Sequence, residues 1–186
     1  MPETQYFQIK IESLNNFIMK IILVAAMSEN RAIGLNGKLP WGNLPDDLAH
    51  VYNVIKNKKT VMGKRSYDTP DRIASSAGNV VISKLQNIVL EPNFEYANSL
   101  AAALEKLKLE TEIIVLGGAQ IFEQVIDSAD TIYLTLVQGI FSGDAFFPKI
   151  DLNLFELKDT IFHSMDTQHA FSFKFLRYER RITILR

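Results

Sequence analysis

Residues 21–27 and 113–116 are nearly unbroken apolar runs, rich in branched side chains and too short for a helix. Runs of this kind mark strands buried on both faces, where no polar side needs to alternate with an apolar one. Around them the pattern switches period. Residues 45–57 predict a helix, 60–62 and 79–83 short strands, 98–107 a helix, 112–116 a strand, 119–126 a helix and 131–137 a strand. Short strands separated by helices of about ten residues predict a mostly parallel sheet covered on both faces. The end of the chain differs. Phe171, Phe173 and Phe175 alternate with Ser172 and Lys174, so residues 155–163 and 171–179 predict an antiparallel hairpin at the sheet edge. No repeat or linker divides residues 19–186, which read as a single α/β domain. Residues 1–18, a mixed polar stretch before a second methionine, Met19, read as an N-terminal extension, disordered or belonging to a non-native start, rather than as a leader peptide.

Composition narrows the partners. In 186 residues, 20 Lys and Arg stand against 21 Asp and Glu, a net charge of −1 with no basic block. A nucleic-acid or anionic-membrane binder clusters its cations, so neither partner is expected. The chain has no cysteine, which excludes disulfides, thiolate metal sites and a thiol nucleophile. No apolar run approaches the ~20 residues of a membrane helix. A cytoplasmic monomer acting on a small molecule is the expectation.

Candidate chemistry begins at the first helix. Pro45 suits its first position, Asp46 and Asp47 complement the positive end of its dipole, and Leu48, Val51, Tyr52 and Ile55 are expected to face the sheet. Asp47 borders that stripe. It is either a first-turn stabiliser or a pocket acid, and spacing alone leaves both open. The preceding loop, residues 28–43, is long for a strand-to-helix connection and carries Gly34, Gly37, Pro40, Trp41 and Gly42. Trp41 could cover a ligand or anchor the core. Two segments place backbone N–H groups between a strand and a helix, Met62-Gly63-Lys64-Arg65-Ser66-Tyr67 and Leu116-Gly117-Gly118-Ala119-Gln120-Ile121-Phe122. Either could meet phosphates, although neither has the spacing of a Walker loop or of the six-residue dinucleotide fingerprint. His50, His163 and His169 have no partner at metal-ligand spacing, so no metal is expected.

Taken in order, these segments resemble dihydrofolate reductase. The resemblance runs from about Lys20 to Arg181 through Ala25-Ala26, Ile33-Gly34, Leu39-Pro40-Trp41 and Leu44-Pro45-Asp46-Asp47-Leu48. It continues through the two segments above, Asn79 to Ser83, Thr135, Gly143-Asp144 and Phe147-Pro148. It implies a central, mostly parallel eight-stranded sheet with an antiparallel C-terminal edge and flanking helices, and NADPH as hydride donor. Asp47 would hold the amino group and ring nitrogen of a dihydropterin with Thr135. Trp41 would hold an ordered water, and Leu39 would belong to a loop closing over nicotinamide. Val24, Ala25, Leu48, Val51, Pro70, Arg72 and Leu116 would complete the substrate site. Ala26, Ile33 and Gly34 would lie near nicotinamide. Gly63, Lys64, Arg65, Ser66, Ser83, Lys84 and the stretch Leu116, Gly117, Gly118, Ala119, Gln120, Ile121 and Phe122 would hold the rest of the cofactor.

The chain also departs from that pattern. Ala77 stands where the family usually has an arginine that forks onto the glutamate carboxylate of folate, a pair worth about 1.5 to 3 kcal/mol. Arg72 could replace it. Val51 stands in place of an aromatic, Pro70 begins an altered loop, and Gln120 replaces a further arginine. The implied activity is NADPH-dependent reduction of dihydrofolate with an altered tail site. The alternatives are a reductase of another pteridine or of a riboflavin-pathway pyrimidine, and a non-catalytic NADPH-binding homologue.

Overall fold

A computed structural model describes residues 19–182; the expectation for residues 1–18 lies outside them. An eight-stranded sheet runs in the order β5-β4-β3-β6-β1-β7-β10-β9. Its strands are β1 (Lys20–Ser28), β3 (Thr60–Gly63), β4 (Asn79–Ile82), β5 (Phe94–Ala97), β6 (Glu112–Val115), β7 (Thr131–Val137), β9 (Phe155–His163) and β10 (Phe173–Arg180). All inner pairings are parallel, and only β10 runs against its neighbours β7 and β9. β1 and β6 occupy the centre. Ile21 to Val24 and Ile113 to Val115 are buried, as unbroken apolar runs require.

Among the described residues, α-helices connecting the strands are α1 (Pro45–Ile55), α2 (Lys64–Tyr67), α3 (Leu100–Lys106) and α4 (Ala119–Val125). The apolar stripe of α1 differs from expectation. Asp47, Val51 and Ile55 are its buried residues, whereas Leu48 and Tyr52 are exposed. The i, i+4 row through Asp47 faces the sheet, and the row through Leu48 lies one position round the helix. Asn57, with φ of 60°, turns the chain two residues beyond the helix end. Ser99 caps α3 by accepting from Ala102 N–H.

The long loop after β1 is partly ordered by a second, two-stranded sheet of β2 (Ala32–Gly34) and β8 (Ala145–Phe146). Gly143 lies against this sheet so closely that a Cβ there would come within 2.7 Å of Ala32 Cβ. Asp144 then accepts from Asn36 N–H at 3.0 Å, tying the loop tip to the far segment.

Asn79 organises the turn before β4. Its buried amide accepts from Thr60 Oγ1 (2.7 Å) and Ser75 N–H (2.8 Å), and donates to the carbonyls of Ser75 (2.9 Å) and Asn93 (3.1 Å). Replacing Asn79 by Ala strands several buried polar groups, so stability measured by urea unfolding should fall by about 2 to 4 kcal/mol. A loss below about 0.5 kcal/mol would contradict the clamp.

Candidate active site

The cleft originates in the sheet itself. β1 pairs with β6 only from Lys20 to Leu23, but stays beside β7 as far as Ser28. Past Val115 the chain leans instead toward β3, with Leu116 N–H donating to Val61 O (2.9 Å) and Gly63 N–H to Gly117 O (2.6 Å). The sheet therefore splits at the carboxyl ends of its two central strands. Val24, Ala25 and Ala26 border one side, and Leu116, Gly117 and Gly118 the other. Open α/β sheets bind ligands at splits of this kind.

Asp47 enters this region from the first turn of α1. The helix start is pinned by Trp41 and Leu44, which pack in one buried cluster with Val137 and Phe173. The Asp47 side chain is consequently drawn inward, and the residue is only 7% exposed. Its Oδ1 accepts from Thr135 Oγ1 at 2.6 Å, across from β7. Thr135 is the hydrogen-bond partner of this carboxyl among the described residues. Burial pushes the carboxyl above its usual range, and the Thr135 hydrogen bond pulls it part of the way back. Asp47 is thus both in the first turn of α1 and buried against the sheet. Trp41 is also buried, and its Nε1–H has no acceptor among the described residues. A buried orphan donor costs about 1 to 3 kcal/mol unless a ligand or water accepts from it.

The two glycine-bearing segments lie side by side. A Cβ on Gly63 would come within 3.6 Å of Gly118 N, and one on Gly118 within 3.4 Å of Ser66 Oγ. Gly117 adopts φ of +95°, and a Cβ there would sit 2.6 Å from the Phe122 ring. Lys64 is paired with Asp68, whereas Arg65 and Lys84 are exposed and have no partner among the described residues. Ser83 is buried, its Oγ accepting from Leu85 N–H at 3.1 Å. A groove of about 320 Å³ opens between Asn36, Gly37 and Lys38 on one bank and Arg65, Asp68 and Pro70 on the other. Bare backbone, a hydroxyl and free cations are a donor set that fits a phosphorylated dinucleotide. Ala26 lies on β1, Ile33 and Gly34 on β2, and Ala119 and Gln120 at the start of α4. Ile121 and Phe122 are core residues, with Phe122 tilted on Phe147 at 4.8 Å, so their side chains are spent on packing.

Of the residues expected at the substrate, Leu48 and Leu39 are each 39% exposed, whereas Val51 is buried with Ile22, Val24, Ile55 and Ile114. Ala77 is exposed in the turn held by Asn79, and Pro70 is exposed. Arg72 is already engaged, paired with Glu91 and lying over the Tyr67 ring at 4.7 Å. Sequence spacing missed one cluster altogether. His163 and His169 meet Asp46, over a hundred residues away in the chain, a proximity created only by folding.

Comparison with known proteins agrees with this geometry. The sequence model of the family described as dihydrofolate reductase matches residues 20–180. The chain is 34% identical to the dihydrofolate reductase type 3 of Salmonella typhimurium over 164 residues, covering 88% of this chain and 99% of that protein. It is 28% identical to the dihydrofolate reductase of Bacillus subtilis over 161 residues, covering 87% and 95%. Its fold is similar to that of the Enterococcus faecalis dihydrofolate reductase solved with NADP(H) and RAB-propyl, with a TM-score of 0.80, 24% identity and coverage of 88% and 97%. With a family match that spans the split sheet, the buried acid and both glycine segments, the chain belongs to the dihydrofolate reductase family.

Proposed function

We propose that the chain reduces dihydrofolate to tetrahydrofolate with NADPH, and that its site for the p-aminobenzoyl-glutamate tail is altered. The observation that carries the reading is the buried Asp47–Thr135 pair beside the split between β1 and β6. NADPH, when bound, supplies the hydride. Asp47 does the orienting. One oxygen is fixed by Thr135, and the other is left to accept from the amino group and ring nitrogen of a pterin. A carboxyl held in a dry site keeps a proton to higher pH than an exposed one, which favours protonation of the substrate imine. Trp41 Nε1 supplies a buried donor for a water or a substrate atom. Backbone at Gly63, Gly117 and Gly118 leaves room for the pyrophosphate, while Arg65 and Lys84 are free to meet an additional phosphate on the ribose. No described helix is long and apolar enough to cross a membrane.

The altered tail site rests on Ala77 and on the prior engagement of Arg72 by Glu91. Capturing a glutamate carboxylate with Arg72 means giving up that pair. Ala77→Arg should therefore lower the Michaelis constant for dihydrofolate roughly tenfold or more, with little change in turnover, because it adds binding that substrate and transition state share. The Michaelis constant for a tail-less dihydropterin should not move. If neither substrate responds, the carboxylate is already held elsewhere, and Arg72→Ala should then raise the dihydrofolate constant alone. Brisk oxidation of NADPH by the tail-less pterin, with none by dihydrofolate at millimolar concentration, would overturn the assigned substrate.

A further inference from the structure

We propose that Asp46, His163 and His169 form a binding site for one divalent transition-metal ion that prefers imidazole, with zinc as the reference. His163 ends β9 and His169 lies in the connection to β10, while Asp46 sits in the first turn of α1. One ligand atom from each lies within 4.8 Å of the others. His163 Nε2 is 3.0 Å from Asp46 Oδ2, and His169 Nε2 is 3.8 Å from Asp46 Oδ1. Metal–ligand bonds of about 2.0 to 2.1 Å at tetrahedral angles put ligand atoms about 3.3 Å apart. The two separations, each to a different oxygen of the Asp46 carboxylate, lie on either side of that spacing.

The proton positions point the same way. His163 Nδ1 lies 2.7 Å from the Ser164 carbonyl, which can only accept, so that nitrogen carries the hydrogen. His169 Nδ1 lies 2.8 Å from Asp166 Oδ1, a carboxylate oxygen that also accepts the N–H groups of Gln168 and His169. Both rings thus turn Nε2 toward the carboxylate of Asp46. His169 Nε2 accepts a hydrogen bond from Asp46 N–H at 3.3 Å, which a metal ion would replace. The 3.0 Å approach of His163 Nε2 to Asp46 Oδ2 requires a proton or a metal ion between the two atoms. A proton can relieve the His163–Asp46 contact; a divalent ion can satisfy both rings and the carboxylate together.

The site is also built rigidly. His169 is 2% exposed, and His163 is stacked on the buried Phe173 at 4.5 Å and 7°. The Asp166–His169 bond is the carboxylate–histidine support that orients metal-binding imidazoles and raises their basicity. Half-exposed Asp46 leaves a route for the ion from solvent. Two imidazoles and one carboxylate favour zinc, cobalt or nickel over magnesium or calcium, which take oxygen ligands. An ion here would clip the β9–β10 connection to the helix that carries Asp47.

The test uses the tag-free full chain, freed of metal by chelation and titrated with Co²⁺ and then Zn²⁺. One Co²⁺ per chain is expected, with a saturable visible d–d spectrum that Zn²⁺ abolishes. Asp166→Asn should weaken binding roughly 10 to 100-fold through loss of ring support, and His163→Gln should weaken it at least as much. His50→Gln, which removes the remaining imidazole of the chain, should change nothing. Failure to bind one equivalent would overturn the proposal. So would equal binding by His163→Gln, or a His163 ring found doubly protonated against Asp46 and indifferent to Zn²⁺. None of these readouts depends on reductase activity.

Discussion

Asp47→Asn is expected to reduce dihydrofolate turnover at neutral pH by roughly 10² to 10⁴-fold, the range over which a positioned acid or base contributes. The asparagine keeps an oxygen that can accept from Thr135, so the pocket should hold its shape. What disappears is the negative charge and the shared proton. The loss should shrink as pH falls, because solution then protonates the substrate without help. The wild type should decline in the opposite direction, as pH rises through the carboxyl's raised value and the proton leaves. Stability should not follow activity. A carboxyl whose folded value lies above its unfolded one destabilises the fold as pH rises through that window, since the native state binds the proton more tightly there. Below the unfolded value no such penalty exists. At neutral pH the asparagine variant should therefore be as stable as the wild type or more so. A variant that loses activity equally at all pH values, or that unfolds more easily, would indicate a structural role.

Gly117→Ala is expected to damage both the fold and cofactor binding. Gly117 has φ of +95°, and a Cβ would meet Phe122 Cε2 at 2.6 Å and Cζ at 2.9 Å. Phe122 has little room to yield, being 3% exposed and packed on the fully buried Phe147. Backbone strain of about 1 to 3 kcal/mol and overpacking of similar size add to roughly 2 to 6 kcal/mol. Relief by moving the backbone would shift Gly117 O away from Gly63 N, and so separate the two segments that border the cofactor side. NADPH affinity should fall at least about tenfold, since 1.4 kcal/mol already corresponds to that factor. Gly63→Ala is the comparison. Its Cβ would approach the side-chain atom Ile121 Cγ1 at 3.3 Å, which can move by a few tenths of an ångström. Urea unfolding and fluorescence titration with NADPH should rank Gly117→Ala well below Gly63→Ala; the reverse order would contradict the close-packing account.

The central strands could be read from sequence because burial on both faces leaves an unbroken apolar run, as at Ile21 to Val24 and Ile113 to Val115. The terminal hairpin is legible for a different reason, since Phe173, Lys174 and Phe175 alternate along β10, the strand that joins the edge strand β9 to β7. β2, β5 and β8 were not assigned from pattern, and the count of eight sheet strands came from the family resemblance. β5 is four residues of mixed character, Phe94 to Ala97, and β2 and β8 depend on each other across more than a hundred residues. Asp47 shows the same limit within the site. Its helical position was evident, but whether it stabilised a helix or served a pocket depended on Thr135, 88 residues further on. Within α1, Val51 and Ile55 are buried as the pattern predicts, whereas Leu48 and Tyr52 are exposed, because the row that faces the sheet starts at Asp47. The Asp46, His163 and His169 cluster could not have been found by local spacing at all.

The most direct measurement follows a deuterium label from the nicotinamide of NADPH in a single turnover with dihydrofolate, in the wild type and in Asp47→Asn at neutral pH. The label should arrive on the pteridine carbon next to the reduced imine nitrogen, with transfer in the variant slower by at least about a hundredfold. NADPH oxidised without labelling the pteridine, or equal transfer rates in the two proteins, would contradict a site organised around a buried Asp47.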